Sequence, residues 1–223
     1  MELTKEKIEE LIKLPTGNVA DSAGRDSVMD SSIKPVDPKS KMIGRALPVE
    51  CVPGDNLALH RGMAAAQKGD VLVFDCKGFT EAGHFGDMMA TACKVKGIAG
   101  VVIDGSCRDS QDICELGLPV FAKAFSPRGT VKESLGRVNV PVVCGGISVR
   151  PGDIIFGDCD GVVVVPREDE DEVFEKALAK YDREIEVREK LLAGMSTMEV
   201  YGFDTGSTAG ILPGRSLLRK RES

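Results

Sequence analysis

The sequence predicts an α/β fold with a β-α-β-α-β core, a mixed sheet and helices at both ends of the chain. Segments 71–74 and 99–103 are apolar throughout, which is typical of parallel strands buried on both faces, and 118–124 is expected to be a third strand. The stretches between them have helical spacing and end at Gly97 and Gly117, so right-handed crossovers would connect the three strands. In the later part of the chain, β-rich segments alternate with glycine and proline turns, which indicates antiparallel or mixed strands.

The N-terminal residues, 1–45, are predicted to form a helical arm. Thr4 can cap a helix that extends to Leu14 and is stopped by the proline that follows. A second short helix is predicted over 19–23. Segment 26–41 is rich in Ser, Pro, Asp and Lys and is therefore expected to be a loop.

The α/β core is predicted to occupy residues 46–166, with strands and helices in alternation. Its strands are expected at 43–51, 71–74, 99–103, 118–124, 138–149, 154–156 and 162–165. Its helices are expected at 55–68, 86–96 and 109–116. Asp55 is expected to cap the first of these helices at its start, and Gly69 at its end.

A long charged helix is predicted over 168–193, within a C-terminal segment 167–202. Its apolar side chains recur at helical spacing, at Phe174, Leu178, Tyr181, Ile185 and Leu192. This stripe would pack on the core or on a partner subunit. Residues 203–223 are rich in Gly and Ser and then basic, so a flexible tail is expected there. The whole chain, 1–223, is interpreted as a single domain.

Composition limits the class of protein. The chain has 223 residues and a formal net charge of -6, and an acidic protein is a poor general binder of nucleic acid. Its seven cysteines form no Cys-x-x-Cys pair, which favours free thiols in a reducing compartment over a zinc site. No apolar run reaches the roughly 20 residues of a membrane helix. These features predict a cytoplasmic protein with no nucleic-acid or membrane partner.

Ligands of open α/β sheets bind beyond the carboxyl ends of the parallel strands. Two predicted loops, 76–85 and 104–108, lie at such ends and would open onto one crevice. The helix after the first loop begins Gly86-Asp87-Met88-Met89, and the amide N–H groups of a helix start suit a carboxylate or phosphate. The alternative is that Asp87 only caps this helix.

The second loop leads into Arg108 and Asp109, which together suit the binding of an anionic ligand with a metal ion. A guanidinium can bind a carboxylate or a developing enolate, and a carboxylate is a hard ligand for Mg²⁺ or Mn²⁺. A surface arginine beside a helix-capping aspartate is the alternative. Of the two histidines, His60 is interpreted as structural and His84 as a candidate ligand contact. Cys107 has no readable base that would make it a nucleophile.

Three segments in fixed order, 83–92, 96–105 and Arg108-Asp109, resemble the 4-hydroxy-4-methyl-2-oxoglutarate aldolase family, a relative of the regulator of ribonuclease activity A. They are GHFGDMMATA, KGIAGVVIDG and RD, within a resemblance that covers about 17–202. The resemblance implies a β/β/α fold of the swivelling-domain type, assembled as homotrimers or homohexamers with active sites between subunits. It also implies a metal-dependent aldolase, often with oxaloacetate decarboxylase activity.

The resemblance further implies roles for individual residues. Asp109 corresponds to the metal ligand, and Arg108 to the group that holds the keto or enolate oxygen. The backbone at Met88 and Met89 corresponds to the cradle of the substrate carboxylate. Asp87 corresponds to the residue that holds a catalytic water.

In the family, an acidic residue from the C-terminal helix of a neighbouring subunit completes the site, and Glu184 and Glu186 are the candidates here. These implications predict a class II aldolase that cleaves 2-oxo acids to pyruvate with Mg²⁺ or Mn²⁺. A non-catalytic regulator on the same fold is the alternative, although a binding protein has no need of Asp87, Arg108 and Asp109 together. A methyltransferase is disfavoured because no Gly-rich nucleotide loop follows the first strand.

Overall fold

The computed structural model describes residues 1–203, apart from the side chain of Arg25. All but the first residue of the predicted tail, 203–223, therefore lies outside the described residues. The chain separates into two compact units, Met1–Tyr181 and a second that begins at Asp182. Among the described helices, none combines the length and the apolar character needed to cross a membrane.

The described residues contain seven helices, ten strands and a single 3-10 turn at Arg25–Ser27. The helices are α1 Lys5–Leu11, α2 Thr16–Ala23, α3 Leu57–Ala65, α4 Asp87–Lys96, α5 Ser110–Leu116, α6 Glu170–Leu192 and α7 Thr197–Tyr201. The strands are β1 Lys34–Pro35, β2 Met42–Glu50, β3 Asp70–Phe85, β4 Gly100–Cys107, β5 Val120–Phe125, β6 Arg137–Val138, β7 Val142–Cys144, β8 Ile147–Val149, β9 Ile154–Asp158 and β10 Gly161–Val165.

One mixed sheet of eight strands organises the first unit, in the order β1-β5-β4-β3-β2-β9-β10, with β6 paired to β2. Strands β2 to β5 are parallel neighbours, whereas β1, β6, β9 and β10 join the sheet antiparallel. β7 and β8 form a separate antiparallel hairpin. The predicted α/β fold with a β-α-β-α-β core and a mixed sheet is therefore confirmed.

Strand β3 is much longer than predicted, because residues 76–85 continue it instead of forming a loop. Lys77 and Gly78 have positive φ angles, and the pairing with β4 shifts register three times along this stretch. Bulges of this kind place polar and glycine residues inside a strand, so the stretch lacks the apolar pattern of the predicted strands. β4 likewise extends to Cys107, and the predicted loop 104–108 is mostly strand.

The N-terminal elements have shifted boundaries. Thr4 caps α1 as predicted, but the helix already ends at Leu11. Pro15 then serves as the N-cap of α2, which starts before the predicted Val19, because a proline can precede a helix more easily than continue one. The predicted loop 26–41 contains the short strand β1, which pairs with β5.

The sheet is covered on both faces, which explains why segments 71–74 and 99–103 in its central strands are apolar throughout. α3, α4 and α5 cover one face, with Leu59, Ala90 and Ile113 buried against it. The β7–β8 hairpin covers part of the other face, where Val149 is buried. α1, α2 and the start of α6 pack on β9 and β10 around Phe174. All seven cysteines lie within the described residues, and all are free thiols.

Helix α6 confirms the predicted long charged helix, but its apolar stripe is buried only in its first half. In the first unit, Phe174 is buried, and Leu178 and Tyr181 pack against the same cluster. In the second unit, the exposed fraction is 46% for Ile185 and 82% for Leu192. Of the two predicted alternatives, packing on the core is therefore confirmed for the first half of the stripe, and packing of Ile185 and Leu192 on a partner subunit stays a prediction.

Asp55 connects the start of α3 to the loop before β6 through hydrogen bonds. It is 2% exposed, and its carboxylate accepts hydrogen bonds from the N–H groups of Leu57, Glu133 and Ser134 at 2.9, 2.8 and 2.7 Å. The N-cap residue of α3 is Asn56, so the prediction of Asp55 at this position is wrong by one residue. The Asp55 carboxylate nevertheless accepts a hydrogen bond from the N–H group of Leu57, the first residue of the helix. Burial acts to raise the pKa of Asp55, but the three N–H donors outweigh burial and the pKa is lowered. The helix also ends at Ala65, short of the predicted Gly69 cap, because Ala66 already has extended backbone angles.

Asp55→Asn is expected to lower the free energy of unfolding at neutral pH by about 2–4 kcal/mol, because an amide leaves buried N–H donors without an acceptor. The pKa of Asp55 is lower in the folded than in the unfolded chain. The carboxylate therefore stabilises the fold above its unfolded pKa of about 3.9 and loses this effect as the pH falls through the folded pKa. Urea denaturation at neutral pH and at about pH 3 measures both effects, since the variant should lose less stability on acidification.

The matched control is Asp112→Asn, since Asp112 is exposed in the first turn of α5. That change is expected to alter the free energy of unfolding by no more than about 0.5 kcal/mol. A loss below about 1 kcal/mol for Asp55→Asn would contradict the anchoring role of this carboxylate.

Candidate functional site

A pocket of about 240 Å³ opens beyond the carboxyl ends of β3 and β4. Gly86, Asp87, Met88 and Met89 line it together with Arg108. A second pocket, of about 300 Å³, shares Arg108 with the first and is also lined by Asp109 and Ser110 at the start of α5. The structure thus brings the two predicted segments, 76–85 and 104–108, together. They are mostly the ends of β3 and β4, whereas loops were predicted.

The start of α4 presents free amide groups to this pocket. Gly86 is the N-cap and supplies no side-chain hydrogen bond, while Asp87 is the first residue of the helix. The interpretation of Asp87 as a mere helix cap is therefore wrong. The first-turn N–H groups of a helix have no partners within the helix, so the amides at Met88 and Met89 can bind an anion. The Met88 side chain is 72% exposed, and that of Met89 is buried.

Arg108 and Asp109 lie side by side at the end of β4. The Arg108 amide donates to the carbonyl of Phe85 at 2.9 Å, which fixes the end of β4 against the end of β3. Arg108 Nε lies 3.4 Å from Asp109 Oδ2, and the two side chains are 46% and 33% exposed. The ion pair is long and open to solvent, so both groups remain able to bind a ligand.

The backbone of Asp109 is left-handed, with φ 56° and ψ 40°. This conformation is unfavourable for a residue with a side chain, and such strain is concentrated at functional sites. It turns the carboxylate toward α4, where Oδ2 accepts from the Asp87 N–H at 3.3 Å. A single, half-exposed carboxylate with spare lone pairs fits Mg²⁺ or Mn²⁺, since Mg²⁺ often takes one or two protein carboxylates and keeps its waters.

Two glycines make room for this arrangement. A Cβ atom at Gly86 would lie 2.6 Å from Asp109 Oδ2 and 3.1 Å from Arg108 Nε. A Cβ atom at Gly83 would lie 2.5 Å from the carbonyl oxygen of Ser126 and 2.9 Å from Arg108 Cβ. Gly83 therefore requires the absence of a side chain, because its Cβ would meet fixed backbone, whereas a Cβ at Gly86 would force the Asp109 carboxylate to move.

His84 lines the pocket but is held by the protein itself. It is fully buried, and its Nε2 accepts from the Gly54 N–H at 3.1 Å. Burial lowers the pKa of His84, against the opposing effects of the Ser106 backbone and the Asp55 charge, so the ring is neutral at physiological pH. Its Nδ1 has no hydrogen-bond partner among the described residues.

Cys107 is equally unsuited to nucleophilic chemistry. Its side chain is fully buried, and burial raises the pKa of the thiol to about 12. The reactive thiolate is therefore absent at neutral pH, in agreement with the interpretation from the sequence.

The pocket is also lined by residues that the sequence analysis did not select, among them Asn56, His60 and Lys132. Asn56 and His60 lie four residues apart on one face of α3, and Lys132 belongs to the loop before β6. His60 is exposed, so its interpretation as a structural residue is wrong. The Nδ2 group of Asn56 donates to the His84 carbonyl at 3.1 Å, while its buried Oδ1 has no partner among the described residues.

Two further sets of acidic residues lie elsewhere in the chain. Glu184 and Glu186 belong to the second unit, on the part of α6 beyond Tyr181, and their contribution to a site stays a prediction. Asp158 and Asp160 form a small acidic group with the cysteine between them, in the turn from β9 to β10. The Asp158 carboxylate is already occupied by the hydroxyl and N–H of Thr16.

Comparisons with known proteins give a consistent picture. Residues 16–164 match the family model described as RraA-like, Aldolase/RraA. A protein of Halalkalibacterium halodurans named "Putative 4-hydroxy-4-methyl-2-oxoglutarate aldolase" is 37% identical over 180 residues, which are 81% of this chain and 85% of that protein. An uncharacterized protein of Methanocaldococcus jannaschii is also 37% identical, over 78% of this chain and 85% of its own length.

Solved structures share the fold. An uncharacterized protein from Pseudomonas syringae superimposes with a TM-score of 0.77 at 24% identity, over 90% of this chain and 99% of its own. Streptomyces coelicolor RraAS2, described as an unusual member of the RNase ES inhibitor RraA family, superimposes with a TM-score of 0.74 at 29% identity. That match covers 84% of this chain and 98% of the Streptomyces chain.

Proposed function

Because the chain belongs to the RraA-like family, we propose that it is a divalent-metal-dependent aldolase that cleaves 4-hydroxy-4-methyl-2-oxoglutarate-like 2-oxo acids to pyruvate. The same site would decarboxylate oxaloacetate, since both reactions pass through the enolate of pyruvate. One observation carries the proposal: the open amides of α4, the Arg108 guanidinium and the Asp109 carboxylate lie together where the two adjoining pockets meet.

Asp109 would hold the metal ion, with Mg²⁺ or Mn²⁺ as the candidates. Its donor chemistry fits, because a carboxylate oxygen is the hard ligand that these cations prefer. When bound, a divalent cation supplies a Lewis acid that withdraws electron density from the oxygens of a 2-oxo acid.

The chain's own groups would bind and orient the substrate. The amides at Met88 and Met89 receive its carboxylate, because the helix start presents N–H groups and a partial positive charge. Arg108 lies beside them and donates to the keto oxygen, which becomes the enolate oxygen. A preorganised donor of this kind contributes about 3–4 kcal/mol to the transition state, or about 100- to 1000-fold in rate.

Proton transfer would run through water held by Asp87 and an acidic residue of a partner subunit. The water takes the proton from the C4 hydroxyl, the C3–C4 bond breaks, and its electron pair stays on the pyruvate fragment as the enolate. A proton at C3 then completes pyruvate. Glu184 and Glu186 are the candidate partner acids, so we place the complete site between the subunits of a cytoplasmic homotrimer or homohexamer.

The proposal is tested by pyruvate release from 4-hydroxy-4-methyl-2-oxoglutarate and from oxaloacetate, with Mg²⁺ or Mn²⁺ and with chelator. Oxaloacetate loses carbon dioxide slowly with metal alone, so each reaction needs a protein-free control. Metal-dependent release above this background supports the aldolase. Activity that is absent with either metal, or that survives the chelator, refutes the metal-dependent mechanism.

Gly86→Ala is expected to lower kcat/KM for pyruvate release by about tenfold, because the added methyl group displaces the Asp109 carboxylate. The loss is moderate, since the end of an aspartate side chain can rotate away. Steady-state kinetics at saturating metal measure it. The matched control is Gly17→Ala, since a Cβ atom at Gly17 would meet nothing within 4 Å, and this variant should keep the wild-type rate.

A non-catalytic regulator is the second candidate, and the likeness to Streptomyces RraAS2 favours it, since that protein is described as belonging to an RNase ES inhibitor family. A ribonuclease-inhibition assay separates the two functions. Equal inhibition by the wild type and by Asp109→Asn, with no pyruvate release by either, would replace the aldolase proposal by the regulator.

A further inference from the structure

The pocket is lined by a second cation apart from Arg108, the Lys132 ammonium group, and by the His60 imidazole. We propose that His60 and Lys132 form a subsite for the distal carboxylate of the substrate, so that the pocket selects 2-oxo diacids over 2-oxo monoacids of equal length. This inference rests on the proposed function, because it takes the amides of α4 as the site of the first carboxylate.

Sheet topology places Arg108 on one side of the pocket, and His60 and Lys132 on the other. α3, which carries His60, follows β2, whereas Arg108 ends β4, and β3 lies between these two strands. Lys132 is on the side of β2 as well, because its neighbour Val131 exchanges backbone hydrogen bonds with Gly54 and Asn56 at 3.0 and 3.1 Å. The end of β3 thus separates the Arg108 side from the His60 and Lys132 side.

Lys132 has no internal function that would explain its charge. Within residues 1–203, its ammonium group forms no ion pair or hydrogen bond, and neither does the His60 ring. Lys94 and Lys96, on the neighbouring α4, instead donate to backbone carbonyl oxygens of Gly117, Met63 and Ala64. An unpaired cation on a pocket wall is available for a ligand.

The backbone that carries Lys132 is held in place on both sides. Val131 is fixed by its two hydrogen bonds to the segment before α3, and the amides of Glu133 and Ser134 donate to the buried carboxylate of Asp55. A lysine on such a fixed segment loses less conformational freedom on binding a ligand than one on a mobile loop.

The charge of Lys132 acts on the neighbouring His60 ring. Burial is the main cause that lowers the pKa of His60, and the positive charge of Lys132 is the second. Asp87 is the only acidic side chain among the residues that line this pocket. Lys132 would therefore supply the positive charge for a ligand carboxylate, and the neutral His60 imidazole would supply a hydrogen bond.

Pocket size restricts the ligand class further. The volume of about 240 Å³ lies below the range of roughly 300–1,000 Å³ that is typical of drug-sized ligands. A small acid with a carboxylate at each end suits this volume and both cationic sides. Oxaloacetate would use the site less well, because its second carboxylate is the group that must leave.

Binding of two acids of equal length tests the subsite directly. Isothermal titration of the full chain with Mg²⁺ compares 2-oxoglutarate with 2-oxopentanoate, which lacks the distal carboxylate. The wild type is expected to bind 2-oxoglutarate at least tenfold more tightly. Lys132→Gln is expected to reduce this preference by about tenfold, and Lys132→Arg to restore most of it, because arginine keeps the charge.

Lys39→Gln is the matched control, because it removes the same charge from an exposed lysine that does not line the pocket. It should leave the preference for 2-oxoglutarate unchanged. Equal binding of the two acids by the wild type, or an unchanged preference in Lys132→Gln, overturns the subsite while leaving the aldolase proposal in place. Binding of neither acid would overturn the proposed function and the subsite together.

Discussion

Asp109→Asn is expected to lower pyruvate release from oxaloacetate with Mg²⁺ by about 1000-fold or more. An asparagine tolerates the left-handed backbone at this position, so the fold and the start of α5 are preserved. Its neutral amide, however, does not hold a divalent cation as a carboxylate does. The loss of about 4 kcal/mol of charge stabilisation in the transition state corresponds to about 1000-fold in rate.

The measurement pairs a lactate dehydrogenase-coupled assay with thermal unfolding in the presence and absence of Mn²⁺. The wild type should be stabilised by Mn²⁺, whereas Asp109→Asn should not respond, since ligand binding stabilises only the state that binds. Asp112→Asn, on the same helix, should behave as the wild type in both assays. More than a tenth of the wild-type activity in Asp109→Asn would remove this residue from the metal site.

Arg108→Ala is expected to lower kcat by about 100- to 1000-fold, with a smaller change in KM. The guanidinium would interact most strongly with the enolate oxygen, which carries charge only as the carbon–carbon bond breaks. Arg108→Lys should recover part of the rate, because lysine keeps the charge but lacks the planar fork of donors. Steady-state kinetics with saturating metal separate kcat from KM.

Arg150→Ala provides the surface comparison, since Arg150 is 63% exposed and pairs with Glu168. It should leave both constants unchanged, as exposed ion pairs contribute little. If Arg108→Ala raises KM and spares kcat, then the guanidinium binds substrate and transition state equally, and its proposed role at the enolate is wrong.

The sequence predicts the centre of the sheet well and its irregular parts poorly. The apolar segments at 71–74 and 99–103, with Gly97 after the helix between them, identify the parallel core because they are local patterns with one physical meaning. The second half of β3 escapes prediction, since its bulges at Lys77 and Gly78 are stabilised by pairing with β4. Such pairing depends on contacts between distant residues.

The same distinction applies to the site. The start of α4 and the pair Arg108-Asp109 are identifiable because a short motif follows each of two neighbouring strands. His60 could have been found, since it lies one helical turn after Asn56 on the same face of α3. Lys132 could not, because its place at the pocket depends on hydrogen bonds to a segment that lies far away in the sequence.

The left-handed backbone of Asp109 lowers the stability of the fold, whereas the carboxylate at this position serves the proposed reaction. Glycine would adopt φ 56° without penalty, whereas a side chain costs about 1 kcal/mol there. A relative that uses this fold only to bind another protein gains nothing from that cost, and selection for stability favours glycine at the equivalent place. If Asp109 holds the metal ion as proposed, an acid at this position would distinguish catalytic relatives from relatives that only bind another protein.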